Sequence, residues 1–233
     1  ADIRNILDWK ADHPQGRILT LVGNHRSLSP ILQASNLVFP DKPPEFRKIL
    51  ESRRNERGLA PTWFKARDPS EEHAWIRGRL EAELRTGRNP SELCVLFRSN
   101  REEQPLRNAL KGMPLAQGER SGIQLLTIHA AKGLEWPVVV VCSQDRPLTE
   151  GTELVEFSLD EERRLFYVAC TRARDKLHLT TCETRPKGHG KEPRRAHPWM
   201  RLVEPCVKIR PNAVLRALRR LRAYRRLRFG SGI

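Results

Sequence analysis

Apolar positions in this chain follow two alternating rhythms. Short runs of β-branched residues and leucine, apolar without interruption, read as strands buried on both faces. Longer stretches with apolar residues three and four apart read as helices. In chain order the pattern predicts a strand at 17–22, a helix at 29–38 and a Pro- and Arg-rich connection over 40–61. A strand at 62–65 and a helix at 70–85 follow, the helix with Ile76, Leu80 and Leu84 on one face. Next come a strand at 93–97, a helix at 102–111 and strands at 123–128 and 137–142. Ser158 with Glu161 is a capping-box pair that opens a helix running to about residue 174. A last strand is expected at 177–181. Strands alternating with helices predict an α/β fold, a parallel sheet with helices on both faces. Ligands of such sheets bind beyond the carboxyl ends of the strands.

Past Thr181 the pattern changes. "CETRPKGHGKEPRRAHP" is rich in Gly, Pro and basic residues and reads as an exposed linker. The stretch 212–228, "NAVLRALRRLRAYRRLR", reads as a basic helix with Leu215, Leu218, Leu221 and Tyr224 in a stripe. The implied division is a domain at 1–185, a linker at 186–205 and a basic helical tail at 206–233. The chain opens on Ala1 inside the amphipathic stretch "ADIRNILDW", which suggests a piece of a longer protein.

Charge narrows the partners. With 43 Lys and Arg against 28 acids the net charge is +15, so a polyanion is expected and nucleic acid comes first. Residues 208–228 hold nine of those cations and no acid; a nucleic-acid or protein partner for the tail and a merely solvated face both stay open. No apolar run spans a membrane. Five scattered cysteines without a CxxC pair predict a reduced, cytoplasmic protein with no metal site, Cys94 and Cys142 being core residues. Trp75 and Trp136 are read as packing. Glu161, Glu162, Arg163 and Arg164 are read as a charged helix start with one internal ion pair.

No GxxxxGK[ST] phosphate-binding loop is present; "GHGKE" at 188–192 is too short for one. Three polar blocks still look like part of a nucleotide site: Asn24-His25-Arg26-Ser27, Lys132-Gly133-Leu134-Glu135, and "EERRLFYVACTRARDKL" with Arg172 near its end. Guanidinium groups make bidentate, permanently charged contacts to polyphosphates. Each residue also has a plainer reading. Arg26 can be a surface cation beside a helix, Arg172 a cation on a helix C-terminus, Glu135 a surface carboxylate and His129 an ordinary loop or core histidine. Arg98 and Asn100 can simply cap the helix that follows them.

"LVGNHRSLSPILQASNLVF", "IQLLTIHAAKGLEWPVVVV" and "EERRLFYVACTRARDKLHL" resemble motifs IV, V and VI of the UvrD/Rep/PcrA superfamily 1 DNA helicases. "LCVLFRSN" resembles the intervening DNA-contacting segment, and "ADIRNIL" the stretch after motif III. The likeness covers about 1–185, in family order. It implies the second RecA-like domain, a P-loop NTPase-type fold without its own P-loop, of an ATP-dependent 3′–5′ helicase. ATP and Mg²⁺ would be held mainly by a first RecA-like domain, so this chain alone should not turn over ATP. Arg26 and Arg172 would be arginine fingers on the γ-phosphate. Glu135 would bind the ribose, Gly133 would give it room, and Lys132 would link the nucleotide cleft to the DNA track. Arg98, Asn100, Thr127 and His129 would touch single-stranded DNA. Two departures stand out: His25 occupies the place of an adenine-stacking tyrosine, and the accessory domain usual between "FRSN" and motif V is absent. Two other readings are a motor domain of a helicase–nuclease, for which no nuclease signature follows motif VI, and a stand-alone nucleic-acid-binding module without ATPase activity.

Overall fold

A computed structural model of the chain describes residues 9–17, 19–40, 48–117, 121–148 and 156–211. Its centre is a six-stranded parallel sheet in the order β11-β3-β8-β6-β4-β5: β3 (Thr62–Ala66), β4 (Leu93–Phe97), β5 (Gln124–Thr127), β6 (Trp136–Val141), β8 (Ala173–Cys182) and β11 (Lys208–Pro211). The remaining strands are β1 (Gly23–Asn24) and β2 (Glu51–Ser52), a parallel pair, and β7 (Asp145–Pro147), β9 (Thr184–Lys187) and β10 (Gly190–Ala196), an antiparallel sheet. The helices are α1 (Trp9–Asp12), α2 (Ser29–Asn36), α3 (Pro69–Arg85), α4 (Glu103–Ala109), α5 (Glu156–Cys170) and α6 (Pro198–Val203).

Strand periodicity sorts the core into two layers. On β4, Leu93, Val95 and Phe97 point to α3 and α4, where they meet Ile76, Leu80, Leu106 and Leu110. Cys94 and Leu96 point the other way, into a layer with Ile31 of α2, Phe166 of α5 and Trp199 of α6. This explains why β4 and β6 are apolar without alternation: both faces are covered. α3 starts where Asp68 accepts from the Glu71 N–H at 3.1 Å with Pro69 in the first turn, and ends before Gly87 at φ 86°. Trp75 stacks on Phe64 with centroids 4.8 Å apart, and Trp136 is buried, so both are packing residues.

Three expectations need correction. The strand at 17–22 is not in the main sheet: the described residues there are irregular up to β1, and Leu19 and Leu21 are about four-fifths exposed (81% and 79%). The apolar run flagged a strand, but among the described residues nothing covers Leu19 and Leu21. The helix predicted to reach 174 stops at Cys170, and β8 begins at Ala173 instead of 177. The polar run Ala173–Lys176 reads as a helix end, yet it pairs with Trp136 and Val138 through a register shift.

The third correction is the linker. Residues 184–187 and 190–196 are strands, and Trp199, Met200 and Val203 of α6 lie in the core. What fixes this segment is a buried ion cluster that composition could not reveal. Asp145 is fully buried and accepts from Arg185 Nε at 2.8 Å, Arg194 Nε at 3.0 Å and the Cys182 N–H at 2.8 Å. Glu72, also fully buried, accepts from Arg185 Nη2 at 3.0 Å and the Ser143 N–H at 3.0 Å. The fold therefore runs through β11, and the sheet's last strand lies in the segment assigned to the tail. Residues 212–233, including the basic helix expected there, lie outside the described residues.

Two buried histidines add a pH dependence. His178 on β8 lacks a hydrogen-bond partner at both ring nitrogens among the described residues, and burial pushes it down to about 4, with Glu83, Arg79 and Lys176 nearby. His197 stacks on Trp199 at 4.2 Å and is also pushed down to about 4, burial again leading, with Asp145, Arg146 and Arg194 around it. Their folded-state values lie below the ordinary 6.5, so the unfolded chain takes up these protons first. Stability is complete above about pH 6.5 and falls between about 6.5 and 4, by about 2 kcal/mol per histidine at pH 5. Urea midpoints at pH 7 and pH 5 should show the drop, and His178→Leu should remove the His178 share.

Candidate nucleotide and nucleic-acid sites

The polar stretch between β5 and β6 crosses the sheet. Thr127 closes β5 level with Phe97, the carboxyl end of β4, whereas Trp136 opens β6 below Leu93, the partner of Val138. Residues 128–135 therefore run from the carboxyl end back to the amino end, anchored by Ile128 and Ala131 in the α2–α5 core layer. His129 is exposed beside the carboxyl end, and Glu135 lies at the amino end. Gly133 sits between them at φ 86°, and a Cβ there would meet nothing within 4 Å. The glycine permits the left-handed turn that carries the chain between the two ends.

At the amino end three segments converge. Asn24 shapes the first: its Oδ1 accepts from the N–H groups of Arg26 at 2.9 Å and Ser27 at 2.8 Å. The Arg26 Nε then bonds Glu135, and its Nη1 donates to the Thr171 carbonyl at 3.3 Å. Arg172 lies in the turn between α5 and β8 and donates to the Val168 carbonyl at 3.1 Å and the Leu134 carbonyl at 3.0 Å. Its pKa is lowered, by burial first and then by the charge of Arg26. Arg174 stands 3.7 Å from the other oxygen of Glu135. Two guanidinium groups thus share one carboxylate and a third, Arg172, lies within reach of its charge, a donor set that matches a polyanion such as a triphosphate. A single carboxylate cannot by itself supply an Mg²⁺ shell, so metal ligands would have to come from elsewhere. His25 and Lys132 are exposed near this cluster in sequence, with no resolved ligand-like partner.

At the carboxyl end lies a cleft of about 310 Å³ lined by Asn100, Thr127, Arg107, Glu103 and Gln124. Arg98 faces a neighbouring cleft of about 490 Å³, with Ser143, Gln144, Arg146 and His197 on its walls. The Arg98 guanidinium bonds Glu162 at 2.6 Å, and this carboxylate, expected at a helix start, stands in the middle of α5 and pairs with another element. Helix capping falls to Ser99, whose side chain accepts from the Arg101 N–H at 3.3 Å, not to Arg98 or Asn100.

A family model described as the UvrD-like helicase C-terminal domain matches residues 19–115 and 114–184. The chain belongs to this family. It is 40% identical over 111 residues to DNA helicase II of Escherichia coli, covering 41% of this chain and 15% of that protein. It is 30% identical over 191 residues to a probable DNA helicase of Mycoplasma pneumoniae, covering 78% of this chain and 34% of that one. The ATP-dependent DNA helicase PcrA of Staphylococcus epidermidis is 36% identical over 93 residues, covering 36% of this chain and 13% of that one. The chain thus spans between 13% and 34% of the length of these three relatives. In fold it is similar to the C-terminal domain of a possible DNA helicase from Lactobacillus plantarum, with a TM-score of 0.57 at 17% identity, covering 80% of this chain and 98% of that one. The expected RecA-like α/β fold is the observed one. Among the described residues no helix is long and apolar enough to cross a membrane.

Sequence reasoning missed Arg174, Glu162 and Arg107. Arg174 was legible in principle: with a strand read from Ala173, Arg172 and Arg174 fall two residues apart on one side of the chain. Glu162 and Arg107 become neighbours of the carboxyl-end residues only through the fold.

Proposed function

We propose that this UvrD-like helicase C-terminal domain is the second RecA-like half of an ATP-driven 3′–5′ DNA translocase. The observation that carries the reading is the separation of charge on the fold. Arg26, Glu135 and Arg172, distant in sequence, meet at the amino end of the sheet, while Asn100 and Thr127 share a cleft at the other end. One short polar stretch joins the two. On this reading Arg26 and Arg172 neutralise charge on the γ-phosphate of an ATP held mainly, with Mg²⁺, by a first RecA-like domain. Glu135 exchanges its bond to Arg26 for the ribose, His25 lies under the adenine, and Lys132 lies along the path between the clefts. Arg98, Asn100, Thr127 and His129 hold the backbone of a single strand, contacts that carry no base sequence.

The test of the DNA face is the salt dependence of single-strand binding. Arg98→Ala should weaken binding and lower the slope of log K against log salt by about 0.7, one phosphate's share. Removing 212–233, with seven arginines and no acid, should lower it by up to about 5 if all seven meet phosphates. The cut belongs after Pro211, because removal from Lys208 also strips β11 from the sheet. An unchanged slope in Arg98→Ala would take Arg98 off the strand. An unchanged slope in the truncation would assign the tail to a protein partner or to no partner.

A further inference from the structure

Arg26 and Arg172 belong to chain segments that touch through backbone, and one side chain spans the seam. The Leu28 N–H donates to the Arg174 carbonyl at 2.9 Å, and Ser27 Oγ donates to the Ala173 carbonyl at 2.6 Å. Ser52 Oγ donates to the Ser27 carbonyl at 2.9 Å and itself accepts from the Arg54 N–H at 3.2 Å. The Arg54 Nη1 lies 2.9 Å from the Arg26 carbonyl, 3.3 Å from the Arg174 carbonyl and 2.9 Å from Asp175 Oδ1. Two hydrogens serve three acceptors, so one is shared. The side chain is only 15% exposed, and its other donors, Nε and Nη2, bond Glu56, so none of them reaches the side chains of Arg26, Glu135 or Arg172.

The clamp is itself braced. Asp175 accepts on its second oxygen from Arg88 Nη2 at 3.3 Å. Arg88 Nε bonds Glu83 at 3.1 Å, and Lys176 Nζ bonds both oxygens of Glu83 at 2.7 and 2.9 Å. Glu83 is buried on α3, so the chain of ion pairs ties the seam to the helix layer on the opposite face of the sheet. A surface ion pair would be worth little. Here the acceptors include two main-chain carbonyls that belong to Arg26 and Arg174 themselves, so the geometry of the guanidinium cluster follows from this contact.

We propose that Arg54, held by Asp175, is a positioning residue that sets the spacing of Arg26 and Arg172, acting on turnover without touching nucleotide. This rests on the reading of those two arginines given above. Displacing a catalytic group by about 1 Å can cost on the order of 100-fold in rate. In the intact protein that carries this chain, Arg54→Ala should therefore lower kcat for DNA-stimulated ATP hydrolysis by roughly 10- to 100-fold. KM for ATP should stay within about twofold, because uniform binding is untouched. Lysine places three donors on one nitrogen, as this site needs, so Arg54→Lys should recover most of the loss. Asp175→Asn should reproduce the defect in weaker form.

A merely structural role is separated by the double variant. If Arg54 acts through the pair, Arg54→Ala adds no more than about twofold to the loss already caused by Arg172→Ala in single-turnover hydrolysis. Each variant is assayed below the onset of its own thermal unfolding. The proposal is overturned if Arg54→Ala keeps kcat within twofold of the parent, or if it costs the same factor in both backgrounds. Full turnover by Arg172→Ala alone would overturn the reading of the pair and this proposal with it. Loss in Arg172→Ala with none in Arg54→Ala would sink only the clamp.

Discussion

Arg172→Ala in the intact protein should cut ATP turnover by on the order of 10³ or more, the scale on which arginine fingers act in phosphoryl transfer. Arg172 sits half-buried in the turn before β8, held by the carbonyls of Val168 and Leu134. Burial and the neighbouring Arg26 both act against its charge, so the guanidinium is held where an incoming anion relieves it. Charge that moves off a transferring phosphoryl group is best stabilised by preorganised donors in a water-poor cleft. Lysine should rescue poorly here, because a point charge cannot reproduce two anchored N–H groups and a planar fork. Affinity for single-stranded DNA without nucleotide should barely move, since the residue lies at the amino end of the sheet and the Asn100–Thr127 cleft at the carboxyl end. Steady-state hydrolysis and a DNA titration of the same variant check both halves.

Asp145→Ala should destabilise the isolated domain by about 3–5 kcal/mol, the cost of leaving buried charges without their partner. Asp145 holds Arg185 and Arg194 at once, and both lie more than four-fifths covered. Burial alone would raise its carboxyl, yet the Arg185 and Arg194 guanidinium groups overcome this and hold it below the usual range. Its contribution is accordingly present above the ordinary carboxylate pKa and lost as pH falls through the lower folded value. That acid window lies below the one assigned to His178 and His197. Glu72 cannot compensate, because it is already engaged by Arg185, Ser143 and Thr180. Urea unfolding at pH 7 should show the loss, and limited proteolysis should report new cleavage between 184 and 196 as β9 and β10 detach. Asp145→Asn should cost nearly as much, because its amide turns a donor toward one of the arginines.

Elements that are buried on both faces were readable from the chain alone. β4 and β6 announce themselves as continuous apolar runs, and α3 by its apolar stripe of Ile76, Leu80 and Leu84. Elements fixed by long-range polar contacts were not. β9 and β10 look like linker because their half-buried residues Thr184, Arg185, Glu192 and Arg194 are polar or charged; Arg185 and Arg194 are drawn in by Asp145, Arg185 also by Glu72, and Glu192 by Arg194. The start of β8 reads as helix because Ala173–Lys176 is polar, and only pairing with β6 makes it a strand. Conversely, the run at 17–22 has the composition of a strand, yet among the described residues only its end is paired, the Val22 carbonyl accepting from the Glu51 N–H at 2.9 Å. The candidate site divides in the same way. Arg26, Glu135 and Arg172 were visible through their motifs, and the structure brings them together. Arg54 lies outside any motif and Glu162 inside the motif VI block, and nothing in sequence spacing links either to the residues it holds. Gly133 was expected for ligand clearance, and the structure adds that its positive φ alone already favours glycine.

On the proposed reading the two ends of the sheet serve two different ligands. A two-by-two measurement on the intact protein tests it: single-stranded DNA affinity and ATP turnover, for Arg172→Ala and Arg98→Ala. The expected pattern is crossed. Arg172→Ala loses turnover and keeps its DNA affinity, while Arg98→Ala loses DNA affinity with a shallower salt slope and keeps nucleotide binding. If Arg172→Ala instead lost DNA binding while retaining turnover, the assignment of the two ends would be contradicted.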